Sequence, residues 1–286
     1  MNAASPMPLA DVYHKPINRH TTALDGIDWV YGSSPCASGR LNWGLPGSSV
    51  SLWAGAAGTG KSRLAVAIVS RMSLEGRSIL ISQNEVNPSQ LKSWFAGQNH
   101  NANRIHVLDR PSLDDLLQVI RSMSPALVVV DSASMLEGIE RQATARRVIA
   151  DLRAAAETTG SHIVLVGHLN SRGQVKGGTT LPHLVDTVAI LERGELNGWV
   201  RFGIHDKHRF GPTGRYVMLT HGEQGLKILF SGDEQFPIMQ VRFDPSTGRA
   251  VRKVPVPGSG GKEVEIDDCG CVIRCQSWLQ RVLAGS

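Results

Sequence analysis

Eight consecutive residues, Gly55-Ala56-Ala57-Gly58-Thr59-Gly60-Lys61-Ser62, have the types and spacing G-x-x-x-x-G-K-[ST]. Glycines at these places let main-chain N–H groups turn inward around phosphate oxygens, where a Cβ would obstruct them. A helix that opens at the end of such a loop adds the partial positive charge of its N-terminus. In this chemistry Lys61 reaches the β- and γ-phosphates and the Ser62 hydroxyl ligates Mg²⁺, with Arg63 next to them on the first helical turn. The expected ligands are therefore ATP and Mg²⁺.

Two carboxylates complete the chemistry. The apolar run Leu127-Val128-Val129-Val130 delivers Asp131 to a strand's C-terminal end, where it can hold the metal directly or through water. Hydrolysis also needs a group to orient or deprotonate water. Ser82-Gln83-Asn84-Glu85 ends another such run and offers Glu85.

The elements that must position these residues are legible as alternating patterns. Val50 to Ala54, Ser78 to Ser82, Ala126 to Val130, His162 to Val166 and Thr187 to Leu191 are near-continuous apolar runs, as in strands covered on both faces. Helical spacing separates them, over Ser62 to Glu75, over Ser112 to Met123 with Ser112 as N-cap, and over Arg141 to Thr158 before Gly160. Strands alternating with helices predict an α/β fold with a mainly parallel sheet. Trp199 to His205, Tyr216 to Thr220 and Leu226 to Phe230 then read as hairpin strands that extend the same sheet. From Ser231 onward, prolines and Gly258-Ser259-Gly260-Gly261 mark a loosely built tail. A turn at Asp244 to Gly248 separates two short strands there, and Ser277 to Leu283 reads as a last helix.

Composition sets the outer limits. The chain has 286 residues, 41% hydrophobic and 19% charged, which suits one large core and a small appendage. No apolar run approaches the length of a membrane span and no signal-peptide core precedes Lys15, so a cytoplasmic location is expected. The net charge of +5 leans only slightly toward polyanionic partners. Cys269, Cys271 and Cys275 form a cluster one ligand short of a structural zinc site, and Cys36 is distant, so reduced thiols are expected.

Three stretches give the chain a family likeness. Leu45-Pro46-Gly47-Ser48-Ser49-Val50 leads into the phosphate loop, Ile163-Val164-Leu165-Val166-Gly167-His168 continues through Gly173, Gly177, His183, Val185 and Asp186, and Lys207-His208-Arg209-Phe210-Gly211 follows. Over roughly Thr22 to Leu229 the sequence resembles the RecA-like ATPases, and among them the RadA/Sms branch of bacterial DNA-repair proteins. The last stretch is similar to that branch's K-N-R-F-G signature.

The resemblance implies a RecA-like core over residues 22–230, a flexible lead over 1–21 and a small extension over 231–286. It implies a DNA-stimulated ATPase acting in recombination or repair, by strand exchange or branch migration, on single-stranded or branched DNA. Subunits would form a ring, expected to be a hexamer, or a filament with ATP at each interface. Lys207 and Arg209 would then act on the neighbour's γ-phosphate, and His168 would sense that group in its own site. The Gly-rich, basic segment Asn170 to Thr180 corresponds to a DNA-contacting loop in RecA-like proteins, and Arg172 and Lys176 would meet phosphates there.

The chain also departs from that pattern. The family's N-terminal four-cysteine zinc module and C-terminal protease-like domain are not expected here, and the family's catalytic glutamate aligns with Asn84, so that either Glu85 substitutes for it or hydrolysis is slow. Two other readings share the core: a replicative helicase of the DnaB type, and a nucleotide-dependent switch like the KaiC relatives that binds no DNA.

Overall fold

The structure, a computed structural model, describes residues 8–9, 16–36, 38–169, 180–194, 198–222 and 225–232, and four later strands. Before the phosphate loop come β1 (Arg19–His20), α1 (Asp25–Tyr31), β2 (Ser33–Pro35), β3 (Leu41–Trp43) and β4 (Leu45–Pro46). The core follows as β5 (Ser49–Gly55), α2 (Lys61–Leu74), β6 (Ile79–Gln83), α3 (Pro88–Trp94), β7 (Ile105–Asp109), α4 (Leu113–Met123), β8 (Leu127–Asp131), α5 (Gln142–Thr159), β9 (His162–His168), α6 (Thr180–Leu184) and β10 (Thr187–Arg193). Then come β11 (Trp199–Ile204), β12 (Arg215–Gly222) and β13 (Gly225–Gly232). Last are β14 (Gln240–Phe243), β15 (Ala250–Pro255), β16 (Glu263–Ile266) and β17 (Val272–Arg274).

Nine strands form one sheet in the order β13-β12-β11-β10-β5-β9-β8-β6-β7. From β10 to β7 every neighbour is parallel, and from β10 outward to β13 every neighbour is antiparallel. The expected parallel sheet with an antiparallel extension is what forms.

Alternation along each strand divides the core in two. Trp53, Val129, Val164 and Ile81 face the side covered by α1 and α2, together with Ile27, Leu64 and Ile68. Leu52, Val128, Leu165 and Leu80 face the other side, against Leu116 of α4 and Val148 and Leu152 of α5. Apolar residues on both faces explain the unbroken hydrophobic runs in the sequence.

Local signals set the helix ends. Ser112 caps α4, its hydroxyl oxygen accepting from the Asp115 N–H while the Asp115 carboxylate accepts from the Ser112 N–H, a reciprocal cap. Gly160 ends α5 in the left-handed region at φ 74°. The strands flanking Asp244 to Gly248 pair antiparallel as β14 and β15, and β16 and β17 extend them to a four-stranded sheet. The intervening turn, the Ser277 to Leu283 segment and Cys269, Cys271 and Cys275 lie outside the described residues.

The second residue of the Lys207-His208-Arg209 segment is an internal anchor. His208 Nδ1 hydrogen-bonds the Thr187 hydroxyl (2.8 Å) and Nε2 the Tyr31 carbonyl (2.9 Å). Burial pushes its imidazole down to about 4, against the opposing effect of the bond to Tyr31. The folded state thus resists a proton that the unfolded chain accepts near 6.5. Its contribution to stability is complete above that value and is lost as pH falls toward about 4. Replacing His208 by asparagine, which does not titrate, is expected to lessen the fall in Tm across that window, measured by circular dichroism in wild type and variant.

Candidate nucleotide site

The phosphate loop leaves the C-terminal end of β5, a strand with all seven residues buried. Gly58 (φ 74°) and Gly60 (φ 94°) adopt the left-handed conformation, which is strained for residues bearing a Cβ. A Cβ at Gly55 would run into the Leu191 carbonyl oxygen of β10. Gly60 then passes the chain into α2, so the free N–H groups of the first helical turn face the loop. Lys61 is 4% exposed, and its Nζ donates to the Gly55 and Ala56 carbonyls, both at 2.9 Å. The Thr59 hydroxyl also donates to Ala56 O (2.9 Å). Burial lowers the Lys61 pKa, while the charges of Asp131 and Glu85 act to raise it. Phosphate oxygens are stronger acceptors than two neutral carbonyls, so this ammonium has reason to leave them for a triphosphate.

The ends of β8, β6 and β9 stand along the same edge of the sheet. Asp131 pairs in register with Val166 of β9 and Gln83 of β6, and Gly55 with His168. The Ser62 hydroxyl donates to Asp131 Oδ2 at 2.7 Å, and Oδ1 is buried with no hydrogen-bond partner. Burial raises the Asp131 pKa against the Ser62 bond, with the Glu85 charge raising it further. An orphaned carboxylate oxygen beside a hydroxyl fits Mg²⁺, which takes few protein ligands and fills its octahedron with water and phosphate oxygens. Among the described residues no group of three or more His, Cys, Asp or Glu side chains could hold a metal, so the ion would rely on Ser62 and Asp131.

Asn84 and Glu85 differ in what they present. Asn84 Oδ1 is buried and unpartnered, and the Asn84 N–H donates to the Asp131 carbonyl (3.1 Å). Glu85 is more open, and its Oε1 lies 3.2 Å from His168 Nε2. Glu85 also lies near enough to Lys61 and Asp131 for its charge to act on both. The structure therefore brings Lys61, Ser62, Glu85, Asp131 and His168 together at one edge of the sheet. Arg63 is exposed on α2.

Lys207 and Arg209 are not in that group. Thr187, bridged to His208, pairs with Ser51 near the start of β5, whereas Leu191 pairs with Gly55 at its end. Four residues of strand, about 13 Å at 3.3 Å each, separate the two edges. The Lys207 ammonium donates to the Pro182 (3.0 Å) and His183 (2.7 Å) carbonyls of α6. Arg172 and Lys176 lie outside the described residues, between β9 and α6.

Sequence reasoning passed over Arg193. It ends β10, the strand beside β5, and its guanidinium would lie 3.8 Å from a Cβ built at Gly58. Its signal in the sequence is a basic residue two places beyond the apolar run Thr187 to Leu191.

A parallel sheet with a glycine loop after β5, an aspartate ending β8 and an extra strand, β9, between them defines a RecA-like phosphate-loop NTPase domain. Residues 19–174 match a family described as the AAA domain, and the chain belongs to that family, with a RadA-like core of the RecA-type ATPases. It is similar to the DNA repair protein RadA of Mycobacterium tuberculosis, 31% identical over 216 residues that make up 72% of this chain and 43% of the relative. The RadA of Bacillus subtilis is 29% identical over 217 residues (74% and 47%), and that of Chlamydia trachomatis 27% over 272 residues (93% and 57%). The chain thus spans about half the length of the curated relatives it matches. A solved KaiC-like protein from Pyrococcus horikoshii shares the fold at a TM-score of 0.58 and 18% identity, covering 75% of this chain and all of that one. No helix among the described residues is long and apolar enough to cross a membrane.

Proposed function

We propose that the chain is an ATP-dependent, DNA-binding motor of recombination or repair, working as an oligomer with a nucleotide site at each subunit interface. Residues 22–230 form its ATPase core and 231–286 a small extension. The observation that carries the reading is the division of the functional groups between two edges of one sheet. Lys61, Ser62, Glu85 and Asp131 stand at one edge, and the basic pair Lys207 and Arg209 stands at the other, about 13 Å of strand away. Such a subunit needs a neighbour to complete its site, which heterologous contacts in a ring or filament supply.

Within a subunit, amides of residues 58–62 would hold the phosphates and Lys61 would move from the loop carbonyls to the β- and γ-oxygens. Ser62 and Asp131 would hold Mg²⁺, which when bound neutralises charge that develops on the β- and γ-phosphates. Glu85, steadied by His168, would orient the attacking water and take its proton. Arg209 and Lys207 of the adjoining copy would stabilise the γ-phosphoryl charge.

His168 and Leu169 lead directly into the segment that carries Arg172 and Lys176, and the Leu169 N–H donates to the Gly55 carbonyl (3.1 Å). This hydrogen bond ties the end of β5, where the phosphate loop begins, to the strand end that leads into the proposed DNA loop. ATPase rates with and without single-stranded and forked DNA test the function, with stimulation expected. A rate indifferent to DNA, together with undetectable DNA binding, would instead fit a nucleotide switch. Replacing Arg172 and Lys176 together by alanine is expected to weaken DNA binding and to lower the salt slope of log K by about 1.4 on single strands, two contacts at about 0.7 each. Fluorescence anisotropy across a salt series measures it, and nucleotide affinity should stay unchanged.

A further inference from the structure

Arg209 is held to one residue by both main chain and side chain. Its N–H donates to the Asp186 carbonyl (3.0 Å), and the neighbouring Val188 N–H donates to the Lys207 carbonyl (3.0 Å). Arg209 Nη1 then donates to Asp186 Oδ1 at 2.9 Å. The two side chains differ sharply in exposure, 2% for Asp186 and 54% for Arg209. A buried carboxylate thus grips one corner of a guanidinium whose body faces solvent.

Asp186 is itself fixed. Its Oδ2 accepts from the Val50 N–H (3.0 Å), and its own N–H donates to the Val50 carbonyl (2.8 Å). Val50 lies near the start of β5, the strand that bears the phosphate loop at its far end. Arg153 of α5 shares Oδ1 at 3.2 Å and donates to the Leu184 carbonyl at 2.6 Å.

A guanidinium carries five N–H donors in one plane, so a bond through Nη1 leaves most of the fork for an acceptor on another molecule. Lys207 is committed differently. Two of its three donors serve α6 carbonyls, and an ammonium must leave them to approach a phosphate.

We propose that Asp186 is a positioning residue for Arg209: it holds the guanidinium by one edge, in place and in plane, so that the opposite edge meets the γ-phosphate bound to the adjoining copy. The inference rests on the trans role proposed above. By tying the finger to Val50, Asp186 also makes β5 the rigid link between a subunit's own phosphate loop and the arginine it lends its neighbour.

Asp186→Asn keeps an oxygen for the Val50 N–H and turns an N–H donor toward Arg209 in place of the charge. ATP turnover is expected to fall about 10- to 100-fold, the loss that misplacing a reacting group brings, with KM little changed. A carboxylate that merely held its own sheet together could also lower the rate, and mixed assemblies separate the two cases. Mixed with Lys61→Ala subunits, Asp186→Asn subunits keep a working phosphate loop and receive an intact finger from the neighbour. Turnover above the sum of the separate variants is expected. Arg209→Ala mixed with Lys61→Ala is run beside it. Rescue of Arg209→Ala without rescue of Asp186→Asn would overturn the positioning role alone; rescue of neither would overturn the trans reading beneath it. Should Asp186→Asn fail to fold, a crystal structure of the wild-type assembly with Mg²⁺, ADP and aluminium fluoride decides. Arg209 should bond Asp186 and the fluoride together, and a guanidinium withdrawn from Asp186 would refute the proposal.

Discussion

Lys61→Ala is expected to lower ATP turnover by about 100- to 1,000-fold, the loss typical of removing one preorganised donor from a charge-developing centre. Lys61 is buried at the start of α2, and its ammonium rests on the Gly55 and Ala56 carbonyls. Alanine removes the ammonium that serves those two carbonyls. The fold should persist, because Leu64, Ile68, Val69 and Met72 still supply the apolar buried face of α2. A coupled phosphate-release assay measures the rate, and circular dichroism checks the fold. Turnover within a few-fold of wild type would remove the phosphate-loop assignment.

The second large effect is expected at Arg209. In the proposed oligomer Arg209→Ala should cost about 1,000-fold in turnover, the lower end of what an arginine finger contributes. The same variant, diluted to monomers, should bind a fluorescent ATP analogue as the wild type does, since Arg209 stands at the edge of the sheet opposite its own phosphate loop. That split between turnover and binding distinguishes a residue acting in trans from one that supports its own site. A matching loss of binding in the diluted variant would place the arginine in cis and contradict the division of the site between subunits.

Much of this was legible in the sequence because the strands that build the site are buried on both faces. Leu127 to Val130 and Ile163 to Val166 read as strands for that reason, and each carries its chemical residue one or two places beyond the apolar run. Elements whose burial is partial are less legible. β7 is an edge strand, mostly open to solvent, so Ile105-His106-Val107-Leu108-Asp109 shows no unbroken apolar pattern. Helix α3 buries only Leu91, and its start is set by Asn87 capping the Gln90 N–H with Pro88 at the first position.

Helix α1 has the opposite problem. Gly26 to Tyr31 are all buried and include a glycine and two aromatic residues, so neither a helical stripe nor strong helix propensity appears. Partnerships across the chain were the least legible. Nothing in Asp186 or Arg209 announces that the two bond, because 22 intervening residues hold a strand pair whose register alone brings them together. Glu85 was read from its place after β6, whereas its bond to His168 required knowing that β9 ends at the same edge.

The measurement that bears most directly on the account is a crystal structure of the chain with a non-hydrolysable ATP analogue and Mg²⁺. The phosphates should lie against the amides of residues 58–62, with Lys61 Nζ moved from Gly55 and Ala56 to phosphate oxygens and the cation between Ser62 and Asp131. An analogue bound elsewhere, with Lys61 still on those two carbonyls, would contradict it.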